Sequence, residues 1–129
     1  MTNADVIRAY IAALNAGAND EALAFFAPDV VQEEFPNRLI PAGATRDLEA
    51  LKEASRRGRA VVERQTFEIH TVIAEGDRVA AEATWTGSMK VPLGNTPPGE
   101  PVTARFAMFF VLRDGKIVRQ HNYDCFDEF

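Results

Sequence analysis

Apolar residues recur at helical spacing early in the chain and at alternate positions late in it, so the change of period divides a helical first half from a β-rich second half. Val6, Ile7, Tyr10, Ile11 and Leu14 share one helical face; Thr2 or Asn3 can cap that helix and Gly17 can end it. A second helix begins after Asn19 or Asp20, carries Ala22, Leu23, Phe25 and Phe26, and stops before Pro28. Val30 to Phe35 reads as a short edge strand that Pro36 closes. Beyond the loop through Pro41, Ala42 and Gly43, a third helix from about Arg46 turns Leu48 and Leu51 inward and ends at Gly58.

From there the period is that of a strand. Arg64 to Ala74 and Arg78 to Ser88 flank the turn Glu75-Gly76-Asp77 and predict a hairpin. Met89 to Pro101 contains four prolines and two glycines, which predicts a long loop, a candidate lid or mouth. Val102 to Leu112 is strongly apolar, and after the turn at Asp114-Gly115 the chain closes with the strand GKIVRQHNYDCF. Simple alternation in that last strand puts Val118, Gln120, Asn122 and Asp124 on one face, and Ile117, Arg119, His121, Tyr123 and Cys125 on the other. Three polar side chains in a row on one face make either a solvated edge or the wall of a polar-ended cavity.

Helices first and an antiparallel meander afterwards is an α+β pattern, with three N-terminal helices packed on one face of a curled, mostly antiparallel sheet, a cone that can enclose a cavity. The 129 residues fit one domain spanning 1–129. A net charge of −5 disfavours a nucleic-acid partner, because phosphate contacts require a basic surface. Arg56, Arg57 and Arg59 concentrate positive charge, but in the last turn of a helix, where cations complement the dipole. The single cysteine, Cys125, excludes an internal disulfide, and two distant histidines, His70 and His121, give no metal-ligand spacing. No apolar run approaches membrane-spanning length and no secretory leader is evident, so no membrane partner and a cytoplasmic location are expected.

The run RAYIAALNAGANDEALAFFAPDVVQEEFP, the order of third helix and hairpin, and the ending FFVLRDGKIVRQHNYDCF resemble the nuclear transport factor two-like superfamily, within it the ketosteroid isomerase and SnoaL-like polyketide cyclase branch. The resemblance covers essentially the whole chain. It implies a cystatin-like roll, a homodimer formed through the sheet, no cofactor and no metal, and a small apolar molecule in the cone. By motif position, Tyr10 resembles the helix-one tyrosine that donates to the substrate oxygen in the isomerases, and Glu34 the carboxylate that moves the proton. A carboxylate in an apolar pocket is a competent base because desolvation raises its pKa, and a phenol can stabilise an enolate oxygen. The second oxyanion group of the isomerases, a protonated aspartic acid, has Met108 in its place, and no carboxyl group lies between Val102 and Leu112. The strand Val79 to Trp85 also lacks the Arg-x-Asp pair of the limonene epoxide hydrolase branch.

The same resemblance makes the Gln120, Asn122, Asp124 face the cavity-lining one, with Asp124 at or beside the aspartate of the polyketide cyclases. The expected catalytic residues are therefore Asp124, Glu34 and Tyr10. Asn122 and Gln120 would orient a polar group, and Trp85, Phe106, Met108, Phe110 and Phe35 would form the walls. Plain alternatives stand beside these roles: Tyr10 as a core tyrosine, Glu33 and Glu34 as a solvated edge, Asp124 as a structural carboxylate bonded to a neighbouring backbone group or to Arg78 or Arg105. Two functions follow: a cofactor-free isomerase, lyase or cyclase acting on a small apolar carbonyl compound, or a non-catalytic binding module of the same fold. Reversed parity in the last strand would hand the site to His121 and Tyr123.

Overall fold

The computed structural model describes residues 1–129. Helix α1 (Asn3–Asn15) begins with a reciprocal cap: Thr2 Oγ1 accepts from the Asp5 amide at 3.1 Å, and the Thr2 amide donates to Asp5 Oδ2 at 3.0 Å. Val6, Ile7, Tyr10 and Ile11 are buried on its inner face, and Gly17, with φ +68°, turns the chain away. Helix α2 is shorter than the apolar spacing suggested, only Asn19–Leu23.

Strand β1 (Phe26–Glu34) correspondingly starts four residues earlier than expected and runs through Pro28. The ladder tolerates this proline because pairing with the last strand skips from Phe26 to Val31, so the missing N–H falls in an unpaired stretch. Nor is β1 an edge. A three-residue strand, β2 (Ala44–Arg46), covers it antiparallel, with Arg46 opposite Gln32 and Ala44 opposite Glu34. Gly43 makes that return: its φ is +67°, and a Cβ there would sit 2.7 Å from the Glu34 carbonyl oxygen.

Helix α3 (Leu48–Val61) is capped by Asp47, whose Oδ1 accepts from the Ala50 amide at 2.8 Å. Gly58 does not end it. The helix continues to Val61, where Lys90 supplies donors to the last carbonyls, its Nζ to Arg59 and its amide to Val61.

The meander follows: β3 (Val62–Glu75), β4 (Arg78–Met89), β5 (Pro101–Arg113) and β6 (Lys116–Phe126). The sheet order is β2-β1-β6-β5-β4-β3, with β1 and β6 parallel and every other pair antiparallel. The architecture is thus α+β with a six-stranded mixed sheet, but the three helices are not consecutive: α3 follows β2 and joins the two opposite edges of the sheet. Fourteen helical residues span about 21 Å, against about 24 Å for five flat inter-strand spacings, so the sheet curls to bring its edges within the helix's reach. No helix is long and apolar enough to cross a membrane.

Parity in β6 changes part-way. Val111 pairs with Arg119 and Leu112 with Ile117, leaving Val118 as the extra residue of a bulge. Ile117, fully buried, therefore joins Gln120, Asn122 and Asp124 on the inner face, contrary to simple alternation. Inner positions of β4 and β5, including Ala83, Trp85, Phe106 and Phe110, pack with α1 in one core. On the outer face Phe35 stacks on Tyr123 at 4.6 Å, with Phe109 and His121 edge-on to that pair.

Candidate active site

The concave side of the sheet, with α3 above it and α1 beside it, holds a cavity of about 590 Å³ that opens to solvent, within the range of small-molecule sites. Its walls are aromatic: Tyr10, Phe26, Phe67, Trp85, Phe106 and Phe126 all border it. Trp85 stacks on Phe106 and is held from behind by Nε1 donating to Gln65 Oε1 at 3.0 Å. One end is polar, where β2, β1 and β6 lie side by side and present Arg46, Gln32, Glu34, Asn122 and Asp124.

Strand register explains that gathering. Gln32 lies opposite both Arg46 and Gln120, and Glu34 opposite Asn122. Arg46 Nη1 donates to Gln32 Oε1 and to Glu34 Oε1, each at 3.0 Å, and Asn37 Nδ2 donates to Glu34 Oε2 at 2.9 Å. Both ends of the Arg46–Glu34 ion pair are largely buried, with side chains 15% and 11% exposed. Glu34 thus has both oxygens occupied, whereas Asp124 Oδ1 is buried without a partner. Burial, reinforced by the Glu34 charge and a hydrogen bond with that carboxyl, pushes Asp124 up to about 7, against the lowering influence of Arg46. Burial also pushes the Tyr10 phenol up to about 12, opposed by a hydrogen bond from Gln120. No group of three or more His, Cys, Asp or Glu side chains is arranged so that it could hold a metal ion.

Of the residues expected from the sequence, Tyr10, Glu34, Trp85, Phe106, Asn122 and Asp124 all border this one cavity. Glu33 points away from it, and neither Arg78 nor Arg105 pairs with Asp124. Four expected lining residues do not line it. Phe35 follows Glu34 in an alternating strand and so emerges on the outer face against Tyr123. Met108 and Phe110 have the right face but the wrong level, 2% and 1% exposed and sealed in the core, where Phe110 meets the Tyr10 ring edge-on. Gln120, 1% exposed, sits behind the lining and reaches the site only through its partners Gln32, Asn122 and Tyr10.

Arg46 and Gln32 were missed, as were Phe67 and Phe126. Gln32 was within reach of sequence reasoning, since it stands two residues before Glu34 and shares its face. Arg46 carried no such signal: a three-residue strand has no period to read.

A profile of the SnoaL-like domain matches residues 7–120, most of the chain. The chain belongs to the SnoaL-like domain family. Its SnoaL-like match takes in Tyr10, Gln32, Glu34, Arg46 and Gln120 and stops just short of Asn122 and Asp124. Among solved structures, this SnoaL-like chain is similar to a candidate polyketide cyclase from Xanthomonas campestris, with 28% identity over 94% of this chain and 88% of that one and a TM-score of 0.78. It is similar also to IdmH, a candidate polyketide cyclase from Streptomyces antibioticus, with 25% identity, 96% and 92% coverage and a TM-score of 0.79. A protein with a ketosteroid isomerase-like fold from Catenulispora acidiphila, solved with trimethylamine, is similar at 23% identity, 92% and 83% coverage and a TM-score of 0.73. No curated protein matches the chain in sequence.

Proposed function

We propose that this SnoaL-like protein is an acid/base catalyst that needs no cofactor, an isomerase, lyase or cyclase acting on a small, mostly apolar carbonyl compound held in the cavity. One observation carries the proposal: a half-buried carboxyl, Asp124, borders an aromatic cavity with one buried oxygen unpartnered and a pKa raised to about 7. Such a group gives and takes a proton near neutrality with little driving-force penalty. Glu34, pinned by Arg46 and Asn37, supplies the fixed negative charge that helps keep a proton on Asp124. In this reading Asp124 exchanges a proton with substrate, and Tyr10, on the adjoining wall, faces the substrate oxygen. The structural likeness to two candidate polyketide cyclases supports ring closure of a polyketide-type ketone as the reaction class.

The competing reading is a non-catalytic binding module, favoured by Met108 standing in the core where an oxyanion acid would be. A homodimer through the outer face belongs to the proposal as well, since Phe109 and Tyr123 are 49% and 44% exposed there beside Phe35. Tyr123→Glu should shift the sedimentation behaviour of such a dimer to that of a monomer.

Hydrogen–deuterium exchange at the α-carbon of a panel of cyclic ketones, followed by NMR, tests the chemistry without a known substrate. The wild type should accelerate exchange for at least one ketone, and Asp124→Asn should lose on the order of a hundredfold or more of that acceleration. Equal rates in wild type, Asp124→Asn and Glu34→Gln would sink the catalytic assignment. Tight ketone binding with no exchange would establish the module.

A further inference from the structure

Four side chains at the polar end are oriented one after another, starting from a group that can only donate. Arg46 has no acceptor, so the Gln32 atom 3.0 Å from its Nη1 is the amide oxygen. Gln32 then turns its nitrogen to Gln120, which must answer with Oε1, at 3.2 Å. That leaves Gln120 its nitrogen, which donates to Asn122 Oδ1 at 3.0 Å. The relay fixes which end of each amide is oxygen and which is nitrogen. Asn122 therefore has its oxygen committed to the protein. Its Nδ2 is turned away from Gln120 and donates to no protein acceptor, on a side chain that borders the cavity.

The arrangement is also polarised in one sense, from the Arg46 cation through two buried amides towards Asn122, and each bond in such a chain strengthens the next. In the sheet Asn122 stands directly opposite Met108.

We propose that Asn122 Nδ2 is a fixed hydrogen-bond donor to a ligand carbonyl oxygen, aligned by the Arg46–Gln32–Gln120 relay, and that the ligands of this cavity are aryl or fused-ring ketones whose carbonyl enters the polar end. This rests on, and deepens, the acid/base reading of the same cavity. The ring system is called for by the aromatic walls, where Phe67, Trp85, Phe106 and Phe126 offer faces and edges for stacking. The carbonyl is called for by the donor, since an alcohol or ether oxygen gathers less charge for it to meet. Gln32 and Gln120 are positioning residues: they set which way Asn122 points.

The carbonyl stretch of bound 2-acetylnaphthalene reads the donor directly. At about pH 9 Asp124 has lost its proton and cannot itself donate to the ketone. In the wild type, and equally in Tyr10→Phe, which lacks the phenol donor, the band should lie below its position in hexane. Gln120→Met alters a side chain that does not border the cavity; it should nonetheless move the band most of the way back and weaken binding roughly tenfold. Gln120→Glu keeps the size but only accepts when ionised, so Asn122 must flip, present its oxygen to the cavity and lose the displacement completely. Asn122→Leu should lose it too, whereas Asp124→Asn should keep it. The ketone-exchange experiment can thus fail while this one succeeds, and the reverse. A wild-type band position in both Gln120 variants overturns the proposal, as does a wild type that binds the ketone no better than Asn122→Leu.

Discussion

Glu34 and Asp124 bring two carboxyls together across the parallel β1–β6 pair, and their surroundings differ in kind. Glu34 is ion-paired to Arg46 and bonded by Asn37, so both its oxygens are satisfied. Asp124 is bonded to no cation, lies beside the Glu34 carboxyl and has an unpartnered Oδ1. Two like groups in one apolar site cannot both be charged cheaply, and the one without the arginine keeps the proton.

The proton on Asp124 makes stability depend on pH in a definite direction. The folded carboxyl sits at about 7 against 3.8 for the free group. The folded state therefore holds a proton that the unfolded chain releases from about pH 4. What Asp124 contributes to stability is whole below about pH 4 and is lost as pH rises to about 7. Urea midpoints for the wild type should fall across that window relative to those of Asp124→Asn, which has no such proton to lose. Parallel curves for the two proteins would contradict a raised Asp124.

Changing either end of the ion pair should move Asp124 in opposite directions. Glu34→Gln removes the neighbouring negative charge and lowers the Asp124 pKa. Arg46→Leu removes the opposing positive charge and raises it. The arginine variant also strands a largely buried carboxylate, at a cost on the order of 3 kcal/mol. Carbon-13 chemical shifts of the Asp124 carboxyl through a pH titration, with unfolding curves of both variants, check both statements.

Gly87 adjoins the wall of the cavity. A Cβ there would collide with the six-membered ring of Trp85. Gly87→Ala should push the indole out of its stack on Phe106, break its bond to Gln65 and cost about 1–3 kcal/mol. Its signature is a shift in Trp85 fluorescence together with loss of ketone binding, and an unchanged emission spectrum would show that the ring does not fill that space.

The bulge in β6 predicts an asymmetry between neighbours of similar size. Ile117 is fully buried, so Ile117→Ala should cost about 2–5 kcal/mol. Val118, the unpaired bulge residue, is only partly buried, and Val118→Ala should cost well under half as much. Equal costs, measured by chemical denaturation, would mean that strict alternation holds through this stretch after all.

Much of the fold was legible in the residues themselves. A cap at the start of α1, its apolar face, the glycine turns at Gly76 and Gly115 and the alternation of β4 and β5 are local statements, carried by capping and turn residues and by helical or strand periodicity. Alternation also put Glu33 and Glu34 on opposite faces, without saying which of them faces inward, and put Asn122 and Asp124 on one face. Applied consistently, it would have placed Phe35 on the outer face opposite Glu34. The length of α2, the end of α3 beyond Gly58 and the passage of β1 through Pro28 were not legible. Each depends on a distant partner: the β6 ladder that skips Pro28, and Lys90 at the end of α3.

The candidate site divides in the same way. Which side chains are polar, and which neighbours share a face, follow from the order of residues along each strand. That β1 lies parallel to β6, that β2 covers β1, and that a bulge at Val118 brings Ile117 inward are matters of register, set only when strands far apart in sequence pair. Register is what places Arg46 beside Gln32 and Glu34, and Gln120 between Gln32 and Asn122. A local period says which way a side chain points; only pairing across the sheet says what it meets.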